Sequence, residues 1–331
     1  MPLTITGIKP TGRPHLGNYL GMMQPALELA RSGEALFFVA DYHALTIPPA
    51  EQVREHVLDL AATLIAFGLD TERNILYRQS DLPELCELTW ILGCTCPKGL
   101  LNRAHAYKAA VADNEAHGRP ADQGIGAGLF SYPVLMAADI LAHRAQAVPV
   151  GRDQRQHVEI ARDIAATFNH RFGQTFVEPR ALIREEGARI MALDEPEKKM
   201  SKSGAEASYI ALLDPPDVIR KKIARATTDS QRDIVFDEKR PGIYNLLTIY
   251  QQLGGEGKEQ IEAEFAGKGY KEFKAALADR VIATLEPIQR RFHELFADHA
   301  ALDTLLAQGD EQVRPLAVET LRTAKERVGL L

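Results

Sequence analysis

Short apolar runs alternate with longer amphipathic segments through the first half of the chain. The runs that predict strands are 3–7, 35–41, 74–80 and 147–151. Helical spacing of apolar residues between them predicts helices at 17–31, 51–67 and 84–93. Near-continuous apolar strands joined by helices are typical of a parallel sheet that is covered on both faces. The pattern therefore predicts an α/β fold with a doubly wound parallel sheet, in which ligands bind beyond the carboxyl ends of the strands.

The second half of the chain has a different pattern, because helical spacing dominates from about residue 215 onward. The predicted helices are 215–226, 242–253, 258–266, 270–296, 299–307 and 311–328. This change predicts a C-terminal, all-helical domain. In the first half, a polar segment at 113–127 predicts a mobile loop.

Composition bounds the class of protein. The chain has 331 residues, of which 45% are hydrophobic, enough for one large domain and a smaller one. It has no run of about eighteen uncharged apolar residues and no signal-peptide pattern at its N-terminus, which predicts a soluble, cytoplasmic protein. The formal net charge of −6 gives no general attraction to nucleic acid, so an RNA contact would need a local basic patch. Four residues form either such a patch or a solvated helix face: Arg220, Lys221, Lys222 and Arg225.

The three cysteines, Cys86, Cys94 and Cys96, lie within one apolar stretch. They lack the paired C-x-x-C spacing of zinc and iron–sulfur sites. The sequence therefore predicts buried, reduced thiols and no metal site.

Two polar motifs far apart in the sequence suggest chemistry on a nucleotide. P-T-G-R-P-H-L-G-N at 10–18 predicts a glycine-rich turn that enters a helix, with His15 and Asn18 in its first turn. Backbone amides and the positive end of a helix bind anions. K-K-M-S-K-S-G at 198–204 predicts a loop in which Lys199 and Lys202 neutralise phosphates. Either motif alone is commonly a capped helix start or a surface turn, but the two together indicate ATP.

These motifs resemble the H-I-G-H and K-M-S-K-S signatures of class I aminoacyl-tRNA synthetases. Five further segments are similar to the tryptophanyl-tRNA synthetase family: A-D-Y-H-A-L-T at 40–46, F-S-Y-P-V-L-M-A-A-D-I-L at 130–141, V-P-V-G-R-D-Q-R-Q-H-V-E-I-A-R-D-I-A at 148–165, G-A-R-I-M-A-L at 187–193 and A-T-T-D-S at 226–230. The resemblance spans essentially the whole chain. It implies a Rossmann-like catalytic domain at 1–190, a mobile lysine loop at 191–205 and a helical domain at 206–331 that binds the tRNA anticodon.

The resemblance implies a two-step reaction. L-Tryptophan reacts with ATP to give tryptophanyl-adenylate and pyrophosphate, and tryptophan is then transferred to its tRNA. ATP enters as its Mg²⁺ complex, no metal is held permanently by the protein, and the active form is a homodimer. The implied catalytic residues are His15, Asn18, Lys199 and Lys202. The implied ATP-binding residues are Lys9, Pro10, Thr11, Gly17, Asn18, Gly151, Arg152, Asp153, Ile190, Lys199, Met200, Ser201, Lys202 and Ser203.

The same resemblance implies a tryptophan pocket. Its residues would be Ile5, Gly7, His43, Tyr132, Met136, Asp139, Gln154, Val148 and Val150. Asp139 would accept the indole N–H, because an unpaired buried carboxylate is costly and only a substrate with a donor satisfies it. Tyr132 and Gln154 would hold the α-amino group.

Two of the implied site residues depart from the family pattern. Lys9 stands where many members carry glutamine, and Ile5 replaces a common aromatic residue, so the pocket floor is expected to differ in charge and shape. Lys108 lies two positions before the lysine that the family's phosphate-contacting loop would carry, which leaves its role open.

Three other functions share part of this pattern. A tyrosyl-tRNA synthetase has the same architecture, but the segments around Asp139 and Gln154 argue against it. A paralogue that binds tryptophan or its adenylate as a sensor would not need the intact lysine loop. A small nucleotidyltransferase has a similar turn but is usually shorter and lacks the helical extension.

Overall fold

The computed structural model describes residues 3–31, 35–46, 52–151, 154–183, 189–202 and 204–331. Within these ranges one parallel sheet has the strand order β3-β2-β1-β4-β5. Its strands are β1 (Thr4–Ile8), β2 (Ala35–Val39), β3 (Ile75–Arg78), β4 (Ala147–Val150) and β5 (Arg180–Ile183). The four predicted strands are confirmed. Strand β5 was not predicted, because its four residues carry no long apolar run and pair only with β4 at the edge of the sheet.

Helices cover the sheet on both faces. In chain order they are α1 (Leu16–Asn18), α2 (Gln24–Arg31), α3 (Asp41–Ala44), α4 (Val53–Ala66), α5 (Pro83–Gly93), α6 (Lys98–Leu101), α7 (His105–Ala116), α8 (Ala127–Ala142), α9 (Arg155–Phe172), α10 (Pro216–Arg225), α11 (Pro241–Gly254), α12 (Lys258–Glu264), α13 (Tyr270–Phe296) and α14 (His299–Val328). A π-helical segment, Tyr19–Met23, joins α1 to α2, so the chain is helical throughout 16–31. The predicted doubly wound α/β class is confirmed.

Alternation along the strands divides the core in two. On β2, Phe37 and Val39 face a core that contains α2, α4 and helices α10 to α13. Leu36 and Phe38 face the other core, which is built by α5, α8 and α9. The period of two in a strand sends successive side chains to opposite faces, so each face receives its own helical layer.

Helix α14 joins both cores and packs against the edge strand β3. The sequence predicts two helices here, separated at Gly309, but the structure has one continuous helix. A Cβ added to Gly309 would lie 2.0 Å from the carbonyl oxygen of Leu76 on β3. Glycine is therefore required for close approach of helix to strand rather than for a break. The division of the chain at 190 and 206 stays a prediction.

Polar contacts secure α14 to the sheet. Arg78, the last residue of β3, bonds to Asp303, and Arg314 bonds to Asp310 and to Glu84 on α5. The C-terminal helix is thereby attached to the first half of the chain.

The prediction of buried cysteines is wrong for two of the three. Cys86 and Cys94 are exposed and Cys96 is half-buried. Cys86 lies on α5 and Cys94 directly follows its last residue, and both are on the side opposite the buried leucines of this helix. The apolar composition of this helix predicts burial of the cysteines, whereas the structure exposes one side of the helix to solvent.

The predicted loop at 113–127 is partly helical. Residues 113–116 form the end of α7, and α8 begins at Ala127. The Asn114 side chain donates to the carbonyl oxygens of Ala121 and Gln123, both at 2.9 Å, and so orders the connection. Among the described helices, none is long and apolar enough to span a membrane.

Candidate active site

The parallel strands end at one edge of the sheet, where the polar segments meet. Residues 9–18 follow β1, residues 40–46 follow β2, Gln79 follows β3 and Gly151 follows β4. Ligands of doubly wound sheets bind at this edge.

The turn after β1 presents a neutral histidine. Gly12 has φ +87°, a conformation that glycine adopts without strain. His15 and Asn18 then cap each other. The Asn18 N–H donates to His15 Nδ1 at 3.2 Å, and the His15 N–H donates to Asn18 Oδ1 at 3.1 Å. Because Nδ1 is an acceptor, the ring proton of neutral His15 lies on Nε2, where it can donate to a phosphate oxygen.

Burial, with smaller contributions from Lys202 and Lys199, lowers the pKa of His15 from 6.5 to about 4. Between these values the unfolded chain binds more protons than the folded one, so His15 makes stability rise with pH from about 4 to 6.5. We expect this contribution to be on the order of 2 kcal/mol. Urea unfolding at several pH values should therefore give a shallower acid loss for His15→Gln than for the wild type. An unchanged slope in His15→Gln would contradict this, and His170→Gln at the exposed end of α9 is the control.

The lysine loop has an ordered stem. Residues 190–192 pair with 198–200, since the Met200 N–H donates to the Ile190 carbonyl at 3.0 Å and the Ala192 N–H donates to the Lys198 carbonyl at 2.8 Å. Ile190 and Met200 are buried and anchor the stem. Lys199 is exposed, on the outside of the stem.

Lys202 brings the two motifs together. Its Nζ donates to the carbonyl oxygen of Thr11 at 2.8 Å. Burial lowers the pKa of Lys202, and Asp59 partly opposes this shift. Gly17 lies under the stem, where an added Cβ would be 3.3 Å from the Met200 Cβ. The histidine turn and the cationic loop therefore lie against each other, as the sequence predicts for residues that share a polyphosphate.

A buried amide that the sequence reading missed holds the base of this stem. Asn245 on α11 donates to the Met191 carbonyl at 3.0 Å and accepts from the Met191 N–H at 2.8 Å. The Thr227 N–H also donates to the Leu193 carbonyl at 2.7 Å. The lysine loop is thus bonded directly to the helical half. The only signal for Asn245 in the sequence is one amide among apolar residues of a helix.

On the other face of the sheet, the Asp139 carboxylate is fully buried in α8. The sequence predicts a carboxylate without a protein partner, but His43 and Gln79 both contact it. His43 Nε2 lies 2.8 Å from Oδ2, and Gln79 Nε2 lies 2.8 Å from Oδ1. His43 was predicted in the pocket, whereas Gln79 was missed because a single glutamine after a strand carries no specific signal. Among the described residues, His43 Nδ1 has no hydrogen-bond partner.

A second polar chain lies beside this pair. The Tyr132 hydroxyl is 2.7 Å from His157 Nε2, and His157 Nδ1 is 2.6 Å from Gln154 Oε1. The Tyr132 ring meets the His43 ring edge-on, with 6.1 Å between centroids. Lys9 Nζ lies 5.4 Å from the centroid of the Tyr132 ring, so Lys9 is on the pocket side of the turn. Desolvation lowers the pKa of Lys9, although part of its side chain reaches solvent.

Apolar residues surround these polar groups. Ile5 and Val148 are buried in the core beneath them, and Met136 and Val150 pack against that core. Gly7 is needed because the ring of Phe38 occupies the space of a side chain, with an added Cβ only 2.2 Å from its nearest atom. The structure thus places the predicted pocket residues on one face of the sheet and at its carboxyl edge.

The remaining predicted residues have simple positions. Pro10 is buried in the turn after β1, and Gly151 and Ser201 are exposed. Arg152, Asp153 and Ser203 lie outside the described residues. Lys108 lies on α7.

One residue of the basic segment is not available to RNA. Lys222 is buried and bonds to Asp214 at 2.7 Å, while Arg220, Lys221 and Arg225 are exposed. In the described parts of the chain, no group of three or more His, Cys, Asp or Glu side chains could hold a metal ion.

The sequence model of the family described as tRNA synthetases class I (W and Y) matches residues 3–286. The chain therefore belongs to this family of class I synthetases. A tryptophan–tRNA ligase of Wolinella succinogenes is 45% identical in an alignment of 329 positions, which covers 98% of each chain. The crystal structure of tryptophanyl-tRNA synthetase from Mycoplasma pneumoniae matches with a TM-score of 0.87 and 36% identity, over 99% of this chain and 98% of that one. Within the family, the chain is a member of the tryptophan–tRNA ligases.

A further solved structure carries ligands. The tryptophanyl-tRNA synthetase from Campylobacter jejuni, complexed with ADP and tryptophan, matches with a TM-score of 0.83 and 35% identity over 99% of each chain.

Proposed function

We propose that this edge of the sheet is the active site of an ATP-dependent tryptophan–tRNA ligase. The observation that carries the proposal is the contact of Lys202 with Thr11, which joins the lysine loop to the histidine turn. The buried Asp139 lies at the same edge, on the other face of the sheet. The family supports ATP and tryptophan as substrates, as do the ligands of the C. jejuni structure.

In the first step the tryptophan carboxylate attacks the α-phosphorus of ATP, and pyrophosphate leaves. The bond formed is carboxyl oxygen to phosphorus, and the bond broken joins the α-phosphorus to the bridging oxygen. Holding two reactants in this arrangement contributes about 7–11 kcal/mol. No side-chain nucleophile is required. His15 donates from Nε2, and Lys199 and Lys202 neutralise the charge that develops on pyrophosphate.

Asp139 selects the amino acid, and Tyr132 with Gln154 holds its α-amino group. Pro10, Thr11, Gly17, Asn18, Gly151 and Ile190 form the nucleotide side of the site with the lysine loop. Mg²⁺ enters with ATP as part of the substrate. In the second step the adenylate transfers tryptophan to the terminal ribose of its tRNA, whose anticodon binds the helical half. The enzyme works in the cytoplasm.

The direct test is ATP–pyrophosphate exchange with each of the twenty amino acids. Tryptophan alone should drive exchange, and exchange driven by tyrosine would overturn the assignment. Charging of purified tRNA completes the test, because a sensor paralogue would form the adenylate without transferring it.

We propose that the active form is a homodimer built through the outer face of α5. Trp90 is 76% exposed, and it lies four residues after Cys86 and four before Cys94, both of which are exposed on the same side of the helix and its end. Exposed tryptophans of this kind are typical centres of protein interfaces. The family resemblance implies that the partner on this face is a second copy of the chain.

Replacing Trp90 with lysine should shift the protein from twice 36.6 kDa to 36.6 kDa in sedimentation experiments. The loss of a central aromatic contact costs about 2 kcal/mol or more, which weakens association about 30-fold. Val318→Lys is the matched control, because Val318 is also an exposed apolar residue but lies on α14. A Trp90→Lys protein that stays dimeric would exclude this face.

A further inference from the structure

Gln79 is buried completely at the end of β3, in the centre of the substrate side of the site. Its amide connects two segments that are distant in sequence. The Tyr42 N–H donates to Gln79 Oε1 at 3.1 Å, and Gln79 Nε2 donates to Asp139 Oδ1 at 2.8 Å. None of the sequence motifs includes this residue.

The direction of the Gln79 amide is fixed by chemistry. A backbone N–H can only donate, so the oxygen of the amide must face Tyr42 and its NH₂ group must face Asp139. A hydroxyl or an imidazole in this position could reverse its role, but the amide cannot while Tyr42 donates to it. In this bond the carboxylate of Asp139 is therefore always the acceptor.

The turn that carries Gln79 is itself fixed to the segment after β2. The N–H and hydroxyl of Ser80 donate to Asp41, at 3.0 and 2.5 Å, and the Tyr42 N–H also donates to Asp41 at 3.0 Å. Since β2 and β3 are adjacent strands, their two ends form one rigid unit. The Gln79 side chain is fully buried and bonded at both ends of its amide.

We propose that Gln79 is a positioning residue for substrate selection: with His43 it holds the Asp139 carboxylate in the one orientation that accepts a ring N–H. This inference rests on the proposed function. A carboxylate has about four lone-pair positions, and the two protein donors occupy one on each oxygen. The remaining positions are then fixed in direction. The same two donors compensate the cost of burying the charge before any substrate binds.

The test compares tryptophan with 3-(3-benzothienyl)alanine, in which sulfur replaces the ring N–H. Gln79→Met and Gln79→Leu each remove the donor to Asp139, and methionine does so with little change in size. In ATP–pyrophosphate exchange we expect kcat/KM for tryptophan to fall about 10-fold to 100-fold in both variants. The value for the sulfur analogue should change less than about threefold, because the analogue makes no bond to Asp139.

Ser80→Ala is the matched control, since it removes a hydrogen bond of the same turn without touching Asp139. Its ratio of tryptophan to analogue should match the wild type. An unchanged ratio in Gln79→Met and Gln79→Leu would overturn the inference, whether kcat/KM falls equally for both substrates or for neither. Failure of the proposed function looks different, because the wild type itself would then not prefer tryptophan over the analogue.

Discussion

Asp139→Asn is expected to abolish most of the preference of this enzyme for tryptophan over phenylalanine. His43 and Gln79 both donate toward residue 139, and an asparagine offers one acceptor oxygen and an NH₂ group that opposes the second donor. The one oxygen that remains is uncharged and already accepts from a protein donor, so it is a weaker acceptor for the indole N–H. Recognition through a required hydrogen bond discriminates by about 10⁴-fold, so the ratio of kcat/KM values should fall by a large part of that factor.

ATP–pyrophosphate exchange with both amino acids measures this ratio. Asp303→Asn is the control, because it removes a carboxylate that pairs with Arg78 outside the pocket. A preserved ratio in Asp139→Asn would show that tryptophan is recognised elsewhere.

Lys202→Met should reduce the rate of tryptophan activation by about 10²-fold to 10³-fold. The side chain lies against Thr11 and is well placed to stabilise the charge on departing pyrophosphate. Because that charge develops in the transition state, kcat should fall while KM for tryptophan changes little. Single-turnover formation of the adenylate measures the step directly.

Lys221→Met is the matched control for this experiment. Lys221 is an exposed lysine that pairs with Asp217 on α10, away from the sheet edge. If Lys202→Met retained the wild-type kcat, the loop would act in binding alone.

The sequence predicts most of the architecture, because strands β1 to β4 are distinct apolar runs and helix α4 has apolar residues at helical spacing. It also carries the histidine turn and the lysine loop, whose residue types are specific. The sequence does not predict features that depend on contacts between residues far apart in the chain. The sequence predicts a break at 308–310, whereas the neighbouring carbonyl of Leu76 explains why a glycine stands within a continuous helix there.

Gln79 and Asn245 show the same limit within the site. Each is one amide with no local pattern, and each acquires its role from partners far along the chain, Asp139 in one case and Met191 in the other. The expectation of a lone carboxylate at 139 was wrong for this reason. Burial of a charge can be predicted from an apolar helix, but the donors that compensate it cannot.

The packing of α14 on β3 has a consequence for shortened versions of this protein. A strand at the border of a sheet attracts other chains when its backbone is uncovered. Deleting the chain from residue 299 onward would uncover Leu76 and leave Arg78 without Asp303. A fragment made to isolate the nucleotide-binding half would therefore be prone to self-association, and shortened versions should keep α14.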